Sequence, residues 1–192
     1  MAKLDFYGMF DFSPGDTDTY QYTSQEFSDL IKAITTNGIS NEGDSFETVS
    51  NGLTLTVKSG TCFINGRYGY NNNEKQITLE AETNTLQRID RLVIELNTVN
   101  RIIELKVIKG EPASIAIAPT LTQNDLLYQL PLYSVLITNG SKTKLTDERR
   151  IVYSPTEAIE KLNKILNGTE YVYAVYAKGG ITYGGNSKRK KL

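Results

Sequence analysis

The sequence predicts a mainly β fold with two helices (α+β): an antiparallel β-sandwich-like module flanked by an N-terminal helix and by a C-terminal helix plus arm. Three observations point to it. Stretch 88–109 holds two runs of β-branched and leucine residues around an Asn-Thr-Val-Asn break. The 15 Gly and 12 Tyr suit turns and pleated surfaces. Two short stretches, one after Thr23 and one after Ser154, combine helix-start residues with apolar side chains three and four apart.

The 88–109 stretch organises the rest. With Leu96 and Arg101 as the last pair before a four-residue loop at 97–100, Leu92 falls opposite Leu105 and Ile94 opposite Ile103, giving one apolar face. The other face carries Arg91, Glu95, Glu104 and Lys106 with Val93, Ile102 and Ile108 among them. That half-polar face suits solvent, a sheet rim or a partner chain. A slip of one residue would put the charges into the core, so the pattern itself fixes the register.

In chain order, residues 1–22 mix aromatic and turn residues, among them Phe6, Tyr7, Phe10 and Phe12 ahead of Ser-Pro-Gly-Asp. They cannot form a core alone, so they read as a docking arm. Thr23 and Glu26 fit a capping box, Phe27, Leu30, Ile31 and Ile34 form a stripe that would pack across a sheet or lie against a neighbour, and Gly38 stands where a C-terminal cap is expected. From Ser45 the period becomes two. Leu53, Leu55 and Val57 alternate with polar residues, 61–64 runs extended into Asn65-Gly66, a strong hairpin signal, and 67–70 returns. Ile77 and Leu79 mark a further strand. Residues 110–122 are a Pro- and Ala-bearing connection, 122–128 has the composition of one helical turn, and 130–138 is a buried strand with Pro131 near its start. Residues 142–145 are short and extended, and 146–150 close the module with charge. The second helix has Ser154 as N-cap and Pro155 at its first position, pairs Glu157 with Lys161 and Glu160 with Lys164, and ends at Gly168. Its stripe is Ala158, Ile159, Leu162, Ile165 and Leu166, too short for a stable free helix, so it needs tertiary or inter-chain contacts. Beyond it lies a Tyr-rich, β-prone arm and a basic tip. The chain thus divides into a docking arm at 1–22, a helix plus sandwich at 23–153, and the second helix with its arm at 154–192.

A chain of 192 residues holds one good core. No apolar run approaches the roughly 20 residues that cross a bilayer, and the start has no apolar core of a signal peptide, so synthesis in a reducing cytosol is expected. The tip, Lys188 to Lys191, contributes +4 to a net charge of −1, so the rest of the chain carries −5. A neutral-to-acidic body with a basic tip is not a nucleic-acid-binding face.

Histidine is absent, which removes the commonest general base and metal ligand. Asp16 and Asp18 lack the further acidic positions of a helix-loop-helix calcium site and read as a turn. Glu95 and Glu104 are explained by the wet face of a strand rather than by a glycosidase pair. Gly179-Gly180 lacks the lysine and strand-then-helix setting of a phosphate loop. Cys62, the single cysteine, falls in a strand and reads as a buried, inert thiol. Tyr171, Tyr173, Tyr176 and Tyr183 suit an arm packed on a neighbouring subunit, with stacking on sugar rings as the alternative. No catalytic, cofactor-binding or metal residue is expected.

The order of motifs carries a resemblance. Gly15-Asp16-Thr17-Asp18-Thr19-Tyr20, a capped helix ending in Asn37-Gly38-Ile39, and Ser59-Gly60-Thr61-Cys62-Phe63-Ile64-Asn65-Gly66-Arg67-Tyr68 make one half. Arg88-Ile89-Asp90-Arg91-Leu92-Val93, Val107-Ile108-Lys109-Gly110, the Leu-Tyr-Gln-Leu-Pro-Leu-Tyr-Ser-Val run from Leu127 and Thr146-Asp147-Glu148-Arg149 make the other. Together they resemble the N-terminal structural module of baseplate and tail-fibre (receptor-binding protein attachment) proteins from tailed phages and prophages of Gram-positive bacteria, over about residues 5–153. The resemblance implies a non-enzymatic virion protein of the tail or baseplate, assembled in the host cytoplasm. It would be a homo-oligomer, with a trimer favoured, that contacts other tail proteins and possesses no membrane or specific nucleic-acid partner. Relatives often continue into long fibre or enzymatic regions, and the shortness here implies an adaptor or fibre-attachment subunit in the adsorption apparatus. Asp16-Thr17 also departs from the aspartate-arginine pair common at that spot. The expected partner-binding residues are Phe6, Tyr7, Phe10 and Phe12 in the opening, Ile159, Leu162 and Leu166 on the second helix, and Tyr171, Tyr173 and Tyr176 in the arm. The rivals are a carbohydrate-binding receptor-recognition appendage for host cell-wall glycan, a cell-wall hydrolase, and a DNA contact through the basic tip.

Overall fold

The structure, a computed structural model, describes residues 23–81, 86–166, 173–177 and 180–184. Helix α1 (Ser24–Ile34) opens with the expected capping box: Glu26 N donates to Thr23 Oγ1 at 3.2 Å, and Thr23 N donates to Glu26 Oε2 at 2.6 Å. Its end differs from the sequence expectation. The cap is Thr35, in extended conformation, and Gly38 belongs to strand β1 (Gly38–Ser40). A Cβ on Gly38 would stand 2.5 Å from Val152 Cγ1, so the glycine serves the close approach of a neighbouring strand and not a helix terminus.

Strands β2 (Thr48–Asn51) and β3 (Thr54–Val57) form a hairpin; β4 (Gly60–Ile64) and β5 (Arg67–Asn71) form a second around Asn65 and Gly66, both at positive φ as a two-residue primed turn requires. Strand β6 (Lys75–Thr78) returns beside β3. Then come β7 (Gln87–Asn97), β8 (Ile102–Ile108), β9 (Leu127–Thr138), β10 (Ser141–Asp147), β11 (Ile151–Val152), helix α2 (Pro155–Leu166), and the hairpin β12 (Tyr173–Ala177) with β13 (Gly180–Gly184). Three sheets, ordered β11-β1-β4-β5, β10-β9-β7-β8 and β2-β3-β6, enclose one core; β12-β13 is a separate two-stranded sheet. Leu55 and Val57 from β3, Cys62 and Ile64 from β4, Leu92 and Ile94 from β7 and Leu132 and Val135 from β9 meet in it. The fold is therefore α+β with a β-sandwich-like arrangement. The one parallel contact among the described residues, β1 with β11, ties residues 38–40 to the end of the module, and the local pattern signals neither strand.

The central hairpin keeps the expected apolar face but in another register. Leu92 pairs with Val107, Ile94 with Leu105 and Leu96 with Ile103, because the four-residue loop is 98–101 and not 97–100. Asn97 remains in the strand opposite Ile102, its Oδ1 accepts from Asn100 N at 2.9 Å, and Arg101 takes the positive φ of 55° that closes the turn. Moving the loop by one residue moves the pairing by two, so every side chain stays on its predicted face.

The polar face is less wet than the pattern implied. Glu95 is buried; it accepts from Gln129 Nε2 at 2.8 Å and from Lys106 Nζ at 2.7 Å. The connection after β8 folds back towards this face, with Arg91 Nη1 donating to Pro119 O at 2.7 Å and Gln129 N to Thr122 O at 2.8 Å. Residues 122–128 hold no helical turn. Asn124 Oδ1 accepts from the backbone of Leu126 and Leu127, and Gln123 bridges Tyr128, so β9 starts at Leu127 and Pro131 lies inside it. Pro131 is tolerated because it stands at a bulge, where pairing jumps from Leu92 with Tyr133 to Val93 with Pro131. Of the two placements expected for helix α1, the stripe does not pack across a sheet: Phe27, Leu30 and Ile34 are exposed. Ser28 is its one buried residue, resting on the β4–β5 turn, where a Cβ on Gly66 would overlap the Ser28 carbonyl.

At one end of the apolar face of β7, an ion pair replaces hydrocarbon. Arg88 and Asp90 are 0% and 2% exposed, and Arg88 Nε and Nη2 reach the two Asp90 oxygens at 2.8 and 3.1 Å. Gly110 N also donates to Asp90 Oδ1 and Arg88 Nη2 to Glu80 O, so both groups keep further partners out of water. Asp90→Ala leaves an uncompensated buried guanidinium and is expected to cost about 3–5 kcal/mol, whereas Arg88→Met with Asp90→Leu costs much less. Urea midpoints of the two variants check this; equal losses would show that the charges act only as packing volume.

Candidate functional site

The sequence-predicted partner residues fall in three places. Ile159, Leu162 and Leu166 line one stripe of α2, where Ser154 and Glu157 form a capping box through Glu157 N to Ser154 Oγ at 3.2 Å and Ser154 N to Glu157 Oε2 at 2.9 Å. The hydrogen bond from Ser154 N foremost, with those from the Ser154 and Asn41 side chains, holds the Glu157 carboxyl below its usual range. The stripe is open: Leu162 is 54% and Leu166 73% exposed, and α2 buries no residue. Tyr173 and Tyr176 lie in β12, paired with Gly184 and Ile181. Phe6, Tyr7, Phe10, Phe12 and Tyr171 lie outside the described residues, as do Asp16, Asp18, the expected Gly168 helix end and the basic tip.

A second apolar surface escaped the sequence reading. The outer face of the β4–β5 hairpin presents Phe63, Tyr68 and Tyr70 in a row, with ring centroids 6.0 Å apart for Phe63 and Tyr68 and 5.5 Å for Tyr68 and Tyr70. Tyr68 and Tyr70 are both exposed, as is Phe27 on α1. The alternation Arg-Tyr-Gly-Tyr at 67–70 places both tyrosines on one face, and that was the available signal. Between this row, the end of α1 and the approach to α2 runs a groove of about 350 Å3 lined by Ile31, Ile34, Phe63, Tyr153 and Pro155 among others. Lys161 Nζ stands 4.3 Å from the Tyr153 ring centroid and donates to its hydroxyl at 2.9 Å, bracing the start of α2.

A cleft of about 660 Å3 opens on the other side of Tyr68 and Tyr70, between β5–β6 and β8. Buried Cys62 and Ile94 line its floor, and Lys75, Gln76 and Glu104 stand with the tyrosines at its mouth. Burial pushes the Cys62 thiol up to about 12, against a weaker opposing hydrogen bond at Gly69. A thiol held neutral in this way is no nucleophile. Burial would likewise raise Glu95, but the hydrogen bonds from Lys106 and Gln129 outweigh it and keep the carboxylate below its usual range. That charge is used up in structure.

Among the described residues, no group of three or more acidic, cysteine or histidine side chains is placed to hold a metal ion, and no described helix is long and apolar enough to cross a membrane. Fold and surface together define an α+β, β-sandwich-like module with two amphipathic helices whose apolar stripes are left open. Comparison of the chain with protein-family models, with curated proteins and with solved structures finds no match.

At pH 8 a thiol displaced to about 12 is ionised to roughly one part in 10⁴. Native Cys62 is therefore expected to react with Ellman's reagent at least about a thousandfold more slowly than in the urea-unfolded chain. Comparable rates in the two states would place the sulfur at the surface.

Proposed function

We propose that this chain is a structural virion protein of a phage tail or baseplate, an adaptor or fibre-attachment subunit that holds other polypeptides in fixed geometry. The observation that carries the reading is the open stripe of α2. A 12-residue helix with no buried side chain is marginal by itself in water, so Ile159, Leu162 and Leu166 call for a partner surface. A three-sheet body with its apolar stripes at the periphery supplies contact surfaces. The motif order that resembles phage baseplate and tail-fibre modules supports the same reading, and with it a homo-oligomer, a trimer favoured, that assembles in the host cytoplasm and contacts other tail proteins.

Leu162→Asp is expected to lower the native mass measured by light scattering to that of the single chain, with the thermal midpoint of the sheet body within about 2 °C because the side chain is outside the core. An unchanged oligomer would remove α2 from the interface.

The exposed Tyr68–Tyr70 pair favours a second reading, a carbohydrate-binding appendage for host cell-wall glycan, since two tilted rings beside Asn71, Gln76 and Glu104 offer stacking and hydrogen bonding together. On that reading Tyr70→Ala weakens binding to purified wall polysaccharide about tenfold. Absence of binding by the parent chain would leave the scaffold role alone.

A further inference from the structure

We infer that β8 is a self-pairing edge: two copies of this chain join by setting β8 antiparallel against β8, which fuses their two four-stranded sheets into one. β8 ends the order β10-β9-β7-β8, so only one of its sides is paired. Apart from that ladder, no backbone hydrogen bond among the described residues involves 102–108. Its outward N–H and C=O groups are thus a template for another strand. The strand also lacks most of the devices that block such pairing. It runs seven residues with no bulge and no proline, and Lys106 is its one cation.

The residues of the edge identify the occupant as a second copy. Ile102-Ile103-Glu104-Leu105-Lys106-Val107-Ile108 is self-complementary about Leu105. An antiparallel pair centred there sets Ile102 against Ile108, Ile103 against Val107 and Glu104 against Lys106, each contact occurring twice by symmetry. Moving the centre by one residue puts Glu104 on Glu104 or Lys106 on Lys106, like charges directly opposite. A centre between two residues sets outward-facing backbone groups against inward-facing ones. The Leu105 centre meets both conditions along the whole strand.

Glu104 lacks a counter-charge within its own chain. It is exposed, stands directly opposite buried Glu95 on β7, and has no hydrogen-bond or ion-pair partner among the described residues. Lys106 reaches Glu95 at 2.7 Å and is half exposed, which leaves it open to the Glu104 of a second copy. On the core side there is room for the added strand, since the cleft of about 660 Å3 runs along this edge, lined by Ile103 and Leu105 with Tyr70 and Ile77 across it. A seven-residue ladder belongs to the small, transient class of interface, below roughly 1,200 Å2. It therefore forms between concentrated copies, or between copies that another contact has already gathered. The pairing rests neither on α2 nor on the virion role, and Leu162→Asp leaves all of its residues in place.

Two measurements on the full chain test it. Chains carrying Ile102→Cys and chains carrying Ile108→Cys are mixed at millimolar concentration and treated with a short bis-maleimide; Cys62 is buried and does not compete. In this register 102 lies opposite 108, whereas like positions stand about 20 Å apart. Cross-linked dimer in the mixture is expected at about ten times the yield of either variant alone, and equal yields overturn the proposal. Sedimentation equilibrium at the same concentration, in the Leu162→Asp background so that α2 contributes nothing, reads the charge pairing. Adding Glu104→Lys is expected to weaken self-association about tenfold, while the thermal midpoint holds or rises because the repulsion with Glu95 is gone. No association in that background, or association that Glu104→Lys leaves unchanged, overturns the proposal.

Discussion

Between β7 and β9, eleven successive positions from Gln87 to Asn97 find partners on the longest described strand, and the rest of the body is fixed to that ladder. Its inner face supplies Leu92, Ile94, Leu96, Leu132 and Ile137, all but closed to water, and the strands of the other two sheets bury their own alternate residues against it. The constraint at its end is electrostatic. Arg88 and Asp90 occupy positions that would otherwise be hydrocarbon, and they are tolerable there because each carries further hydrogen bonds to backbone of neighbouring segments. The pair thereby fixes where the segment ending at Glu80 and the strand exit at Gly110 meet β7.

Around this ladder, smaller polar contacts set the positions of the peripheral pieces. Tyr133 reaches from β9 to the backbone N–H of Thr48 in β2, with Arg149 over its ring. Asn37 and Asn65 join β1 to the β4–β5 turn through two hydrogen bonds, and the same turn seats α1 at Ser28. The helices thus attach to the body by their ends and their polar residues, and their apolar stripes are left for other surfaces. A protein whose open apolar area sits on short, well-capped helices is built to be completed by contact. That is the observation on which the proposed scaffold role rests, and the buried charges among the described residues, Arg88, Asp90 and Glu95, are engaged in packing the body.

Much of this was written locally. Thr23 with Glu26 and Ser154 with Pro155 mark both helix starts, Asn65-Gly66 marks the tight hairpin, and the alternation at 91–96 fixes which side chains of the central hairpin face the core. These signals work because they depend on backbone φ, on nearby hydrogen bonds or on a period of two, none of which requires knowledge of distant neighbours. The failures share the opposite property. Gly38 looked like a helix cap, yet its lack of a Cβ serves Val152, more than a hundred residues later. Glu95 looked solvent-facing until Gln129 and the connection before it closed over it. The loop of the central hairpin shifted because Arg101 accepts a left-handed backbone, a choice that composition alone does not reveal.

For the candidate surface, the stripe of Ile159, Leu162 and Leu166 could be read from spacing, but whether anything in the chain covers it could not. The sequence by itself determined the two described helix starts, the tight hairpin at Asn65-Gly66 and the inward faces of β3 and of the central hairpin, since those follow from torsions and periodicity within a few residues. Tertiary structure alone decided the parallel β1–β11 contact, the burial of Arg88, Asp90 and Glu95, and the gathering of Phe63, Tyr68 and Tyr70 beside α1. Each of these depends on surfaces brought together across long sequence separations, where a side chain's environment is set by what arrives and not by its neighbours in the chain.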